Sequence, residues 1–388
     1  MDNNKHTTHK HPISAKKIVL FALYAIIAIC LFLTVLSFND FPSIMEQMKS
    51  VSVGYIFLGA AMVLFYMALY PVSLCLLTKA RKCDIKMSTT YSIAMTEHFF
   101  NGITPLATGG QPFQAHSFTR AKVKISESTG LLLTNLLIYM AVTTGFSLMG
   151  LFFFDTLTES IDPWWIPIII VGYSLNFFVL VMVFLLGTSK KIRAALMRCI
   201  RFFCKFKLFR RFEKKADELE GYFKNVQSSF KDLMRHKRIF ALAFISKVLS
   251  FAFLYSSSFF ILLAMGIPVT IGEWFMIMSG TSFAITAVGF VPTPGASGGV
   301  EGSAGQVFKS IIIHIMGASI VPVAASAANG VMLIWRLLSY YFVMLISLMF
   351  YIGLEFYFKK KARKARLAAL LEQAEKENSS GEDDYEIE

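Results

Sequence analysis

A seven-residue phrase occurs twice in this chain: Thr104-Pro105-Leu106-Ala107-Thr108-Gly109-Gly110 and, 189 residues later, Thr293-Pro294-Gly295-Ala296-Ser297-Gly298-Gly299. Five of the seven positions are identical, a sixth exchanges Thr for Ser, and both copies interrupt strongly apolar sequence. Proline ends a helix and glycine permits a tight turn, so each copy is suited to joining two half-helices. Irregular backbone at membrane depth is tolerated only where it is buried in protein or lines a polar cavity. Two such breaks in corresponding halves mark a site built at an internal repeat.

The flanking sequence is that of an all-α integral membrane protein: 55% of the 388 residues are hydrophobic, 16% are charged, and mean hydropathy is +0.57. The net charge of +13 comes from basic residues beside apolar runs, without a nucleic-acid-binding motif. Anionic lipid is therefore the expected counterpart, and no nucleic acid. Cys30, Cys75, Cys83, Cys199 and Cys204 lack metal-ligand spacing and are expected as free thiols. His6, His9 and His11 belong to a polar tail and receive no role. No metal and no cofactor is expected.

Six runs are long enough to span, at about 18–37, 54–78, 128–154, 164–187, 239–265 and 330–357. The first follows Lys16 and Lys17 as a signal peptide would, but it lacks a small-x-small cleavage site and is expected to stay as a helix. Two further stretches, 88–118 and 271–316, contain the repeated phrase and either cross once or dip in and return. Lys and Arg accumulate on the cytoplasmic side, and this decides between them. If both segments return, every basic cluster lies inside, including residues 190–238 with 16 basic and 5 acidic residues. The acidic turn with Asp155, Glu159 and Asp162 then faces out, with Trp164 and Trp165 at the outer interface. The two re-entrant hairpins consequently enter from opposite faces. The repeat is inverted, with units at about 54–154 and 243–357.

The expected organisation is a cytosolic basic tail (1–17), a membrane domain (18–357) and a charged cytosolic tail (358–388), both termini being cytoplasmic. Within the domain, residues 208–236 carry apolar side chains at steps of three and four, from Phe209 and Phe212 to Phe230 and Leu233. This amphipathic helix lies either on the inner leaflet or bundle face, or in a coiled-coil contact with a partner or second copy.

Thr104, Thr108, Gln111, Thr293, Ser297 and Glu301 are candidates to face one cavity between the hairpins. The amides at Gly109, Gly110, Gly298 and Gly299, with the following half-helix dipoles, would suit an anion such as a lipid phosphate. The alternative for these glycines is close helix packing. Glu301 either caps a helix N-terminus or holds a cationic head group or basic side chain. Charges at depth cost about 2.5–3.5 kcal/mol each on insertion scales. Glu97 lies about 14 Å along its half-helix and Lys247 about 12 Å into its span, so the two are candidates for burial together. Arg336 either snorkels to the outer interface or serves the cavity. His98 and His116, beside the first break, are expected as satisfied packing residues. No catalytic residue is assigned, because no P-loop, nucleophile elbow, His-Glu-x-x-His pair or nucleotide fingerprint occurs.

The stretch Phe99-Phe100-Asn101-Gly102-Ile103-Thr104-Pro105, continuing to Gly109-Gly110-Gln111-Pro112-Phe113-Gln114, resembles the membrane region of the lysylphosphatidylglycerol synthetase and flippase family. The second copy, from Pro292 to Gly302, resembles it equally, and the Gly-Gly-Gln-Pro form is similar to the Gram-positive branch. The resemblance covers about residues 15–357. It implies a multi-pass protein of the bacterial plasma membrane that handles phospholipids, anionic or aminoacylated, and acts as the flippase part. Full synthetases add a cytosolic domain that transfers lysine from lysyl-tRNA to phosphatidylglycerol. No such domain is expected in this sequence, so a lysyltransferase label does not describe it by itself. Many members keep an Arg in the helix after each hairpin; Arg336 matches in the second half and Asn135 stands in the first. Two further readings are the membrane half of an aminoacyl-phospholipid synthase and an accessory scaffold that recruits a lipid-modifying enzyme. A homodimer is a further possibility.

Overall fold

The computed structural model describes residues 51–204 and 216–382. The basic tail, the first expected span at 18–37 and residues 208–215 lie outside these limits, as do the last six residues. Among the described residues every regular element is helical. The protein has an all-α membrane fold.

Among the described residues, five helical segments are long and apolar enough to cross a membrane: Val53–Ala80, Ile125–Thr158, Trp165–Thr188, Lys237–Ala264 and Val321–Leu371. They coincide with five of the six expected runs. The last begins earlier than 330 because Gly317, at φ +81°, ends the preceding helix and Pro322 opens the new one.

The first unit consists of α1 (Val53–Leu69) and α2 (Val72–Ala80), then half-helices α3 (Met87–Met95) and α4 (Glu97–Ile103). After the break come α5 (Gly110–Arg120), α6 (Ile125–Met149) and the short α7 (Phe154–Thr158). Helix α8 (Trp165–Thr188) and the amphipathic α9 (Lys190–Cys204) and α10 (Ala216–Arg235) connect it to the second unit. That unit repeats the plan: a long helix α11 (Lys237–Ala264), a half-helix α12 (Trp274–Val288), the second break, α13 (Gly299–Met316) and α14 (Val321–Arg336). A π-helical stretch, Leu337–Phe342, runs α14 into α15 (Val343–Glu382).

Packing between the units is reciprocal. The leading helices α1 and α11 lie along each other, α6 of the first unit packs on α12 of the second, and α15 of the second packs on α3 and α4 of the first. Two apolar cores form, and each draws on both units: one gathers Tyr66 and Leu131 of the first with Phe251 and Val343 of the second, the other Ile277, Phe308 and Trp335 of the second with Leu157 of the first. Ile285 and Leu338 touch both.

One expectation needs correction here, and one pair of alternatives is decided. Trp165 is not an interfacial indole: it is buried, and its ring fills the space a side chain at Gly302 would need. Trp164 is exposed. Helix α10 does not offer its apolar face to a coiled-coil partner. Val226, Phe230 and Leu233 are buried against α6 and α8, each worth about 2 kcal/mol of burial. Gln227 Nε2 donates to the carbonyls of Leu186 (2.7 Å) and Ser189 (3.0 Å), closing the end of α8. Arg81 pairs with both Glu127 and Asp232, and Arg120 pairs with Glu355, so the basic loops gather at one end of the bundle.

Candidate functional site

The two repeated turns meet. Pro105 and Pro294 form an isolated antiparallel bridge, and the turns around them have the same internal construction. Ala107 N–H donates to the Thr104 carbonyl (3.3 Å) as Ala296 N–H does to the Thr293 carbonyl (3.0 Å). Thr108 Oγ1 and Ser297 Oγ each donate to the carbonyl of the proline three residues back, at 3.0 Å in both. A hydroxyl is what the turn uses, which explains why Thr and Ser exchange at this position. The residues after each proline are left-handed: Leu106 and Ala107 at φ +57° and +51°, Gly295 and Ala296 at +61° and +51°.

Three of the four amides that were expected to await an anion are taken by the chain's own acceptors. Gly109 N–H donates to Thr104 Oγ1 (2.8 Å), Gly110 N–H to Asn101 Oδ1 (2.9 Å) and Gly298 N–H to Glu301 Oε2 (2.6 Å). A Cβ at Gly109, Gly110 or Gly299 would lie 2.6 Å from a neighbouring side chain, so close packing alone requires these three glycines.

Glu301 realises both of its sequence readings. One oxygen caps α13 at Gly298, and Oε1 accepts from Arg336 Nε at 2.8 Å and Nη2 at 2.7 Å. Arg336 is 5% exposed and does not snorkel. Its Nη2 also donates to the Gly295 carbonyl (3.2 Å), and its guanidinium lies 4.3 Å from the centre of the Tyr340 ring. Tyr340 Oη donates across the repeat boundary to the Gly102 carbonyl (2.8 Å). The π-helical widening of the trailing helix carries this tyrosine, so one residue ties the second turn's cation to the first turn's backbone.

A second polar cluster joins Glu97 of the first unit to Lys247 of the second. Glu97 and Lys247 are both buried, at 7% and 0% exposure. Tyr70 stands between them: its hydroxyl donates to Glu97 Oε2 (3.0 Å), and its carbonyl accepts from Lys247 Nζ (3.1 Å). Gln114 Nε2 adds a weaker bond to the same Glu97 oxygen (3.3 Å). The helix is interrupted at Tyr70 and Pro71, between α1 and α2, and the Tyr70 carbonyl there accepts from Lys247.

Between the clusters lies a cavity of about 400 Å³. Gln111, Glu97 and Arg336 line it. Thr104, Thr108, Gly109, Gly110, Thr293, Ser297, Gly298, Gly299 and Glu301 build the turns behind its wall, and Lys247 lies behind Tyr70. His98 lines the cavity with its Nε2 buried and unpartnered, so it is not a satisfied packing residue; His116 is exposed.

A family profile described as the lysylphosphatidylglycerol synthase TM region matches residues 19–347. The chain belongs to this family. No curated protein matches it. Membership in the lysylphosphatidylglycerol synthase membrane-region family gives the protein a membrane, lipid-related role. In this family member Asn135 does not reach the cavity; it is buried and accepts from Ser73 Oγ at 3.0 Å. The sequence reading missed Tyr66, Tyr70, Tyr139, Asn176 and Tyr340 in the cavity wall. Tyr66 and Tyr70 are four apart in an apolar span, a spacing that puts both hydroxyphenyl groups on one helix face. Nothing comparable distinguishes Tyr139 or Asn176.

Proposed function

We propose that the protein is a lipid translocase of the bacterial plasma membrane and that its cargo is a phospholipid with an amine-bearing head group, such as lysylphosphatidylglycerol. The observation that carries this reading is the cavity between two paired helix breaks, with complementary polar atoms on its walls. Glu97 Oε1 accepts no hydrogen bond from the described residues, and Arg336 Nη1 donates none. One wall thus offers an acceptor for an ammonium and the other a donor for a phosphate or ester oxygen. Tyr66, Tyr139 and Phe251 add aromatic faces near Glu97, which also favour a cation. The remaining apolar lining suits the glycerol backbone and the first methylenes of the acyl chains.

Orientation follows from charge. The end that gathers Arg81, Arg120 and the loops around them is cytoplasmic, which makes the two hairpins re-entrant from opposite faces. Movement of lipid between leaflets then consists of opening the cavity alternately to either side.

The test is reconstitution in phosphatidylglycerol vesicles, with a fluorescent lysylphosphatidylglycerol analogue and a membrane-impermeant quencher. Glu97→Gln retains the bonds from Tyr70 and Gln114 and is expected to slow translocation at least tenfold with unchanged folding. Unchanged rates in both Glu97→Gln and Gln111→Ala would remove the cavity from the transport path.

A further inference from the structure

Lys247 is fully buried, yet its ammonium group has few partners. It carries three donors, and the described residues supply one acceptor, the Tyr70 carbonyl at 3.1 Å. Its Nζ also lies 3.0 Å from the centre of the Tyr70 ring. It makes no direct ion pair among the described residues. The balancing carboxylate is Glu97, on the far side of the same tyrosine, with one oxygen turned to the cavity.

An uncompensated charge in such an interior is expensive. With the cavity empty, Glu97 and Lys247 are therefore compensated when they hold one dissociable proton between them. Carboxylate with ammonium and carboxylic acid with amine both satisfy this condition. An ammonium arriving at Glu97 Oε1 changes the balance, because Glu97 must then be ionised to receive it. If Lys247 kept its proton, the site would carry one excess positive charge.

We propose that Glu97, Tyr70 and Lys247 form a one-proton site, and that the cavity exchanges this proton for the ammonium of a cationic head group. The exchange rests on the translocase reading given above. It is balanced in charge: one H⁺ leaves to water, from Nζ or from the carboxylic acid, and one ammonium enters with its own protons. An inward proton gradient would then drive cationic lipid towards the outer leaflet.

The groups that face the pair are consistent with this assignment. Tyr66 comes from α1 and Tyr70 from the interruption that follows it, His98 from α4, Gln114 from α5, Tyr139 from α6 and Tyr255 from α11. Across the cavity, Arg336 is already balanced by Glu301. Among the described residues no further carboxylate lines the cavity to absorb the excess charge. His98, its ring 4.3 Å from that of Tyr70 and its Nε2 unpartnered, is placed to pass the departing proton on to water and does not keep it.

Titration calorimetry of the full chain in detergent with dioctanoyl lysylphosphatidylglycerol tests the exchange. At pH 6.0 the head-group amines keep their protons. The binding enthalpy is expected to differ between phosphate and histidine buffers by the amount for one proton released per lipid. Affinity should rise about tenfold per pH unit between 5.5 and 6.5. Lys247→Arg cannot release the proton; it is expected to bind at least tenfold more weakly, with no dependence on buffer or pH. Wild-type binding with equal enthalpy in both buffers and a flat pH profile would overturn the exchange and leave the translocase reading standing. Equal proton release by wild type and a folded Lys247→Arg would also overturn it. Absence of any binding by the wild type would overturn both readings.

Discussion

Arg336 and Glu301 show how a buried charge is kept at tolerable cost. The carboxylate accepts from the guanidinium and from the Gly298 amide, and Arg336 gains the Gly295 carbonyl and the Tyr340 face. Removing one partner of such a pair leaves the other charge uncompensated, which costs about 3 kcal/mol or more. Glu301→Gln is therefore expected to lower stability by about 3 kcal/mol in thermal unfolding, and Glu301→Leu with Arg336→Met to recover much of the loss. Equal stability of the single variant and wild type would show that the pair does not hold the turn. At the basic end, burial and the neighbouring Glu127 carboxylate push the Cys83 thiol up to about 11. Only about one part in a thousand is thiolate at pH 8. Maleimide should therefore label exposed Cys199 well before Cys83, and the Cys83 rate should grow about tenfold per pH unit towards pH 11. Sequence alone allowed either role for Glu301 and either position for Arg336. It could not join them, because their meeting depends on how α13 and α14 fold back around Gly317. The Lys247 environment was also illegible, since a carbonyl turned aside at a helix interruption leaves no mark in a hydropathy pattern.

The helices themselves were legible because length and apolarity are imposed by the bilayer thickness. Their ends depended on local chemistry, such as Gly317 and Pro322 between α13 and α14. The turns depart from their own repeat at one position. Leu106 and Gly295 occupy equivalent left-handed sites, but Leu106 is exposed, whereas a Cβ at Gly295 would lie 2.3 Å from Tyr340 Oη. Leu106→Gly is therefore expected to be neutral or to stabilise by about 1 kcal/mol through relief of the left-handed strain. Gly295→Leu, which makes the two phrases more alike, should displace Tyr340 and give a poorly folded protein by size-exclusion profile and melting temperature. Helix α10 makes a separate prediction. Phe230 is fully buried and fills the space beside Gly187, so Phe230→Ala should cost about 3 kcal/mol locally. Hydrogen exchange should accelerate across Ala216–Arg235 while α11 remains protected. Uniform acceleration of the whole bundle would mean that α10 is part of the global core rather than a docked element. The period of this helix was readable in the sequence; the neighbour that buries it was not, because an amphipathic face fits a leaflet, a partner or its own bundle equally well.

At the scale of the whole molecule, the two units are built alike and joined at their turns. Each contributes a trailing helix to the other's leading half-helix, so relative motion of the units must pass through the Pro105–Pro294 contact and the Tyr340 bond to Gly102. Alternating access requires one of these seams to part. Paired residues across an antiparallel bridge lie within the Cα separation that a disulfide can span, about 4.4–6.8 Å. Pro105→Cys with Pro294→Cys, in a background lacking the native cysteines, should therefore oxidise readily and fix the turns together. If the turns separate during transport, the oxidised protein should lose translocation in vesicles, regain it on reduction, and keep its affinity for short-chain lysylphosphatidylglycerol throughout. Full translocation by a completely cross-linked protein would instead make the paired turns a fixed floor, and movement would have to occur in the helices that flank the cavity, with the π-helical stretch beside Arg336 as the place to look.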